Sequence, residues 1–155
     1  MCRLYEKFIL EYYSKEHKEL SASASQIPWA LDDGIGTMLP IMQTDVTLKK
    51  GNRVLIIDAK YYANTMQVHH NAHTIRSNNL YQIYTYVKNY DATFGNDPHE
   101  VSGMLLYAAT DEEIQPNQTY RMQNNRISVR TLNLNQEFSV IAAQLDEIAN
   151  DHFCI

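Results

Sequence analysis

The chain has 155 residues, with 13 Lys and Arg against 18 Asp and Glu and a formal charge of −5. That length suits one domain able to bury roughly 70% of its unfolded surface without disulfide or metal staples. The acidic balance argues against a self-sufficient nucleic-acid binder, because affinity for phosphates comes from Lys and Arg. Cys2 and Cys154 are the only cysteines, and no apolar run reaches membrane-span or signal length, so a reducing cytoplasm is the expected setting. There is no phosphate-binding glycine loop, so no nucleotide hydrolysis is expected of the chain itself.

In chain order, Tyr5, Phe8, Ile9, Tyr12 and Tyr13 fall at helical spacing and predict a helix over residues 4–20, which the Ser-Ala run 21–25 ends as a flexible connector. Asp32-Asp33-Gly34 reads as a turn. Residues 39–48 are rich in β-branched and apolar side chains, Lys49-Lys50-Gly51-Asn52 supplies a tight reversal, and residues 53–58 return as a second strand. Its continuous run Val54-Leu55-Ile56-Ile57 suits a strand covered on both faces. Residues 64–79 read as a polar loop. A helix follows over 77–90, with Ser77 or Asn78 as its cap and Leu80, Ile83, Tyr84 and Val87 as its apolar stripe; Gln82 and Tyr86 lie one turn apart on another face. After a loop over 91–99 come a buried strand over 101–109, an alternating edge strand over 126–132, and an amphipathic helix over 136–149 with Phe138, Ile141, Ala142, Leu145 and Ile148 facing in. The order gives an α/β (α+β) fold, a central mixed sheet flanked by helices.

The chemistry concentrates in Asp45 and Asp58-Ala59-Lys60. Alternation along a strand puts Asp58 and Lys60 on one side and turns Ala59 away, its small side chain leaving the carbonyl oxygen open as a further ligand. Two carboxylates and a carbonyl are hard oxygen donors that suit magnesium. A lysine beside them can stabilise charge on a scissile phosphate or help orient and deprotonate a water. An Asp-x-Lys alone is usually a solvated turn with an ion pair worth little; Asp45 on the preceding strand and the helix bearing Gln82 and Tyr86 are what raise it. His69 and His73, with His70, have the four-residue spacing of a helical metal pair, but their segment reads as loop and holds no matching glutamate, so they are taken as solvated or near substrate. Lys49, Lys50, Arg53, Lys60, His69, His70, His73 and Arg76 make a basic stretch that would favour this edge as the DNA side; its ordinary reading is a hairpin tip and a polar loop.

Residues 42–46, 55–62 and 78–86 together resemble the PD-(D/E)XK nuclease superfamily in its RecB-like form, and within it the C-terminal nuclease domain of McrC, the cleavage subunit of the McrBC modification-dependent restriction system. Leu4-Tyr5-Glu6-Lys7-Phe8-Ile9 is similar to the start of that domain, and Thr44 stands where the superfamily name has proline. The resemblance covers residues 4–90. It implies a restriction-endonuclease-like fold and an Mg2+-dependent DNA endonuclease, with Mn2+ able to substitute. It makes Asp45, Asp58 and the Ala59 carbonyl metal ligands, Lys60 the catalytic lysine, and Gln82 with Tyr86 the auxiliary pair. It adds Glu6 as a further ligand, with Glu11 as second choice. It also implies DNA, methylated or not, and an McrB-like AAA+ GTPase as partners. Because an McrC subunit carries a substantial region ahead of this domain, the chain is expected to be a fragment, a remnant or the product of a split gene. The competing expectations are a non-catalytic or truncated interaction module of such a system, and a RecB-like nuclease acting in DNA repair.

Overall fold

The computed structural model describes residues 2–63, 66–69 and 72–155. In order, the elements are α1 (Cys2–Glu16), β1 (Ser21–Ser23), β2 (Gln26–Ile27), β3 (Met42–Gln43), β4 (Val46–Lys50), β5 (Arg53–Lys60), β6 (Met66–His69), β7 (Ala72–Ile75), α2 (Ser77–Ala92), β8 (Glu100–Ala108), β9 (Gln118–Met122), β10 (Asn125–Leu132) and α3 (Phe138–Phe153). Six strands form a mixed sheet in the order β1-β4-β5-β8-β10-β9, with β5, β8 and β10 parallel to one another and the other pairs antiparallel. β2 pairs with β3 and β6 with β7 as separate two-stranded ribbons. This is the expected central mixed sheet flanked by helices. Among the described residues no helix is long and apolar enough to cross a membrane.

The pleat of β5 divides the core. Leu55, Ile57 and Ala59 join the apolar cluster under α1 and α3, while Val54 and Ile56 join the cluster under α2. A strand buried on both faces has to be a continuous apolar run, which is how residues 54–57 read. The same parity carries Asp58 and Lys60 onto the α2 side. On β8, Gly103 lets α2 lie close: a Cβ there would stand 2.6 Å from Val87 Cγ2 and 2.8 Å from Ile83 Cγ1. In the two-residue loop between β4 and β5, Gly51 has φ of 60°, at the position where a reversal of this type needs glycine.

Several elements depart from the sequence reading. The first helix ends at Glu16, and the Ser-Ala run is no connector but strand β1, paired with β4. The strand expected over 39–48 breaks at Thr44 and Asp45 into β3 and β4. The expected polar loop contains the β6–β7 ribbon, so His69 and His73 lie on opposed strands and not on a helix, and His70 lies outside the described residues. Neither Ser77 nor Asn78 caps α2; its N-cap is Arg76, with no side-chain bond. β10 is interior, flanked by β8 and the unforeseen edge strand β9. Its arginines face α3, through Arg126–Asp151 at 3.4 Å and Arg130–Glu147 at 3.9 Å. Phe138, expected to face in, is 63% exposed at the first turn of α3.

At the last turn of α3 the His152 ring is buried. Nδ1 donates to the Ile148 carbonyl at 2.9 Å, and Nε2 has no partner. Burial, with Arg126 and Arg130 adding repulsion, lowers its pKa to about 4. A histidine depressed in this way contributes stability above its ordinary value near 6.5 and loses it as pH falls towards 4. His17 has the opposite sign: burial works against its charge, but hydrogen bonds to Asp146 and Glu19 prevail and raise its pKa. Urea unfolding should therefore show an acid loss from His152 of roughly 3 kcal/mol between pH 7 and pH 4, and His152→Leu should flatten that part of the slope while leaving the His17 part.

Candidate active site

The break that ends β3 is built by Thr44. Its amide donates to the Ser25 carbonyl at 2.9 Å, its hydroxyl accepts from the Ser25 amide at 3.1 Å, and the same hydroxyl lies 2.7 Å from that of Thr47. Buried and bonded on three sides, Thr44 turns the chain off the β4 line, so the backbone ladder of β4 and β5 stops at the Val46–Ile57 pair. Asp45 then replaces the missing ladder bond with its side chain, Oδ2 accepting from the Ala59 amide at 2.8 Å.

This brings two carboxyl groups together at the end of β5. Asp58 is 4% exposed, and its buried Oδ2 has no hydrogen-bond donor aligned on it; Lys60 Nζ stands 3.1 Å away as an ion-pair partner outside hydrogen-bonding angles. The pKa of Asp45 is pushed up to about 8, first by burial and then by its hydrogen bond and charge repulsion with Asp58, against the stabilising Ala59 amide; the Glu6 charge adds to the rise. A cluster of this kind is short of positive charge.

Lys60 extends the cluster to α2. Its ammonium donates to Gln82 Oε1 at 3.0 Å, and Gln82 Nε2 donates to the Tyr86 hydroxyl at 3.0 Å. Because a lysine ammonium can only donate, the amide oxygen of Gln82 must face it, and the amide NH2 is left for Tyr86. Gln82 and Tyr86, four apart on one helix face, thus help hold the half-buried Lys60 side chain beside Asp58.

Glu6 lies on α1 and lines a cleft of about 620 Å³ together with Asp45. It acts on Asp45 through its charge. Glu11 points elsewhere, into an exposed pair with Lys15 at 3.8 Å. Among the described residues no three His, Cys, Asp or Glu side chains gather closely enough to hold a metal by themselves. Ala59 turns its methyl into the α1 and α3 core, as its parity requires.

Sequence reasoning missed a second polar group directly beneath. The Tyr62 hydroxyl donates to Asn79 Oδ1 at 3.3 Å, Asn79 Nδ2 donates to the Tyr107 hydroxyl at 3.0 Å, and the Arg76 guanidinium lies 4.9 Å over the Tyr62 ring. Asn79 and Tyr107 are buried, and Tyr107 is the β8 partner of Lys60 in the register. Asn79 precedes Gln82 by three residues and so shares its face. That spacing was the available signal, hidden by reading the start of the helix only for its cap.

A mixed sheet flanked by helices, with two carboxylates and a lysine at the end of a central hairpin, is a restriction-endonuclease-like architecture. Residues 1–108, which carry the whole cluster, match the family model described as McrBC 5-methylcytosine restriction system component. The chain belongs to this family. It is also similar to the Type IV methyl-directed restriction enzyme EcoKMcrBC of Escherichia coli (strain K12), 28% identical over 155 residues, covering 98% of this chain and 43% of that protein. The chain thus spans less than half the length of this relative.

The crowding of two buried carboxyl groups against the single ammonium of Lys60 costs stability. Asp45→Asn keeps an oxygen for the Ala59 amide and supplies an NH2 that Asp58 can accept. In chelator at pH 8 it should raise the unfolding midpoint by about 3–6 °C, or about 1–2 kcal/mol, in a thermal melt.

Proposed function

We propose that this chain is the DNA-cleaving part of an McrBC-type restriction system, hydrolysing phosphodiester bonds with Mg2+, for which Mn2+ can stand in. One observation carries the reading: Asp58 Oδ2 is buried without a hydrogen-bond donor, beside a second carboxyl whose pKa is raised by burial and by Asp58. The donor set of Asp45, Asp58 and the Ala59 carbonyl is hard oxygen and suits a small divalent ion, with water and a substrate phosphate completing the shell. When bound, such an ion supplies Lewis-acid stabilisation of charge on the phosphoryl group and a more acidic water. Glu6 lies near enough in charge to influence that site from α1.

The remaining work falls to side chains. Lys60, 15% exposed in its side chain and hydrogen-bonded to Gln82, can present its ammonium to a non-bridging phosphate oxygen beside Asp58. Asp58 holds that ammonium as an ion pair at 3.1 Å. The donor-only ammonium of Lys60 fixes the orientation of the Gln82 amide, and Tyr86 accepts from the amide NH2. The family description and the relative's name support DNA as the substrate and an McrB-containing system as the setting; methylation of that DNA and an McrB-like AAA+ GTPase that activates the cut complete the proposal.

The test is cleavage of plasmid DNA by the chain with its GTPase partner, GTP and Mg2+. Asp58→Asn and Lys60→Ala should each lower the rate by about a thousandfold or more with the thermal midpoint of a folded protein retained, and Gln82→Ala by about ten- to a hundredfold. Full activity in either of the first two variants would overturn the site assignment. Stable binding of the partner with no cleavage by the wild-type complex would instead favour an interaction module.

A further inference from the structure

The basic stretch read from the sequence does not form one surface. Lys49, Lys50 and Arg53 sit at the β4–β5 turn, while Lys60 ends β5, seven residues from Arg53 and so about 23 Å away along an extended strand. The turn cations also have local work. Lys49 Nζ lies 5.7 Å from the Phe94 ring centroid, and Arg53 Nη1 reaches the His152 carbonyl at 3.5 Å and Cys154 Sγ at 3.7 Å. A strand of nucleic acid held at that turn would run past the far end of the sheet from the two aspartates.

The cations that do share space with the site come from α1. Arg3 and Lys7 line the same 620 Å³ cleft as Glu6, Gln43 and Asp45. Four residues apart, they lie on one helix face about 6 Å apart along the axis, and charges on one DNA strand advance about 3.4 Å each. Both side chains are exposed, and neither takes part in an ion pair among the described residues. Gln43, at the end of β3, also lines this cleft; its amide NH2 donates to the Ala24 carbonyl at 3.4 Å and keeps a second N–H for phosphate or sugar.

We infer that Arg3 and Lys7 on α1 hold the backbone phosphates of the nucleic-acid strand on one side of the bond cleaved at Asp45 and Asp58. In a chain of charge −5, these two side chains set the path of that strand, and the hairpin tip does not touch it. Glu6 opposes them from the same helix, so their full effect requires a divalent ion to offset the carboxylates. This surface rests on the phosphodiesterase reading above and adds to it the face along which the substrate enters.

The experiment is binding of a short fluorescent DNA duplex, followed by anisotropy in Ca2+, which allows binding to be read without turnover, across a range of salt. The wild-type chain is compared with Arg3→Gln/Lys7→Gln and with Lys49→Gln/Lys50→Gln. The expected result is an affinity about tenfold lower for the α1 pair, with the slope of log K against log salt shallower by about two, and no change for the turn pair. Equal binding by the α1 variant, a loss confined to the turn variant, or no duplex binding by the wild type at low salt would each overturn the inference. The cleavage assay with Asp58→Asn is independent of this readout, so loss of the path and loss of the nuclease reading are told apart.

Discussion

The arrangement of this molecule turns on one hydrogen bond, from the Ala59 amide to Asp45 Oδ2. Between β4 and β5 the backbone ladder satisfies each strand until Val46; beyond that point Ala59 would be left with a buried N–H and no carbonyl to receive it. The carboxylate takes that place. In doing so it is drawn into contact with Asp58, the next inward-facing residue of β5 on the α2 side, and two carboxyl groups are confined where a strand leaves the core. Thr44 makes this possible by anchoring the bend to Ser25 and Thr47, which is a structural use for the position that carries proline in the superfamily's name.

From that bond the other contacts follow in sequence. Asp58 pairs with Lys60, Lys60 is oriented by Gln82, and Gln82 by Tyr86. The chain of donors and acceptors crosses from the sheet to α2, so the helix must hold a fixed height over β5 and β8. Gly103 sets the spacing and the buried Asn79–Tyr107 bond sets the height. A polar network inside an apolar layer is tolerated because its hydrogen-bonding atoms are matched; the exception, Asp58 Oδ2, lies where a ligand would bring its own positive charge.

Membership in the McrBC family and the acidic charge of the chain are compatible once the charges are placed. Part of the negative charge lies at Asp58 and Glu6, where, together with burial, it raises the pKa of Asp45. The chain also corresponds to less than half of its Escherichia coli relative, so binding surface in such a system need not come from this part alone.

The sequence by itself determined the elements that depend on neighbours in the chain. The β4–β5 hairpin follows from its Gly-Asn reversal, the two-sided burial of β5 from an unbroken apolar run, and the placement of Asp58, Lys60, Gln82 and Tyr86 from strand and helix periods that are local by nature. Asp45 was legible as a partner of Asp58 because the hairpin register pairs them, though not as a side chain that ends the ladder. What only the tertiary structure decided was everything that depends on distant neighbours. The Ser-Ala run is a strand because β4 offers a free edge, β10 is interior because β9 covers it, and Arg126 and Arg130 find their carboxylate partners on α3. Asn79 meets Tyr107 across 28 residues, and the basic stretch divides because an extended strand carries residues near in sequence to opposite ends of the sheet. Periodicity fixes which way a side chain points; only packing fixes what it meets.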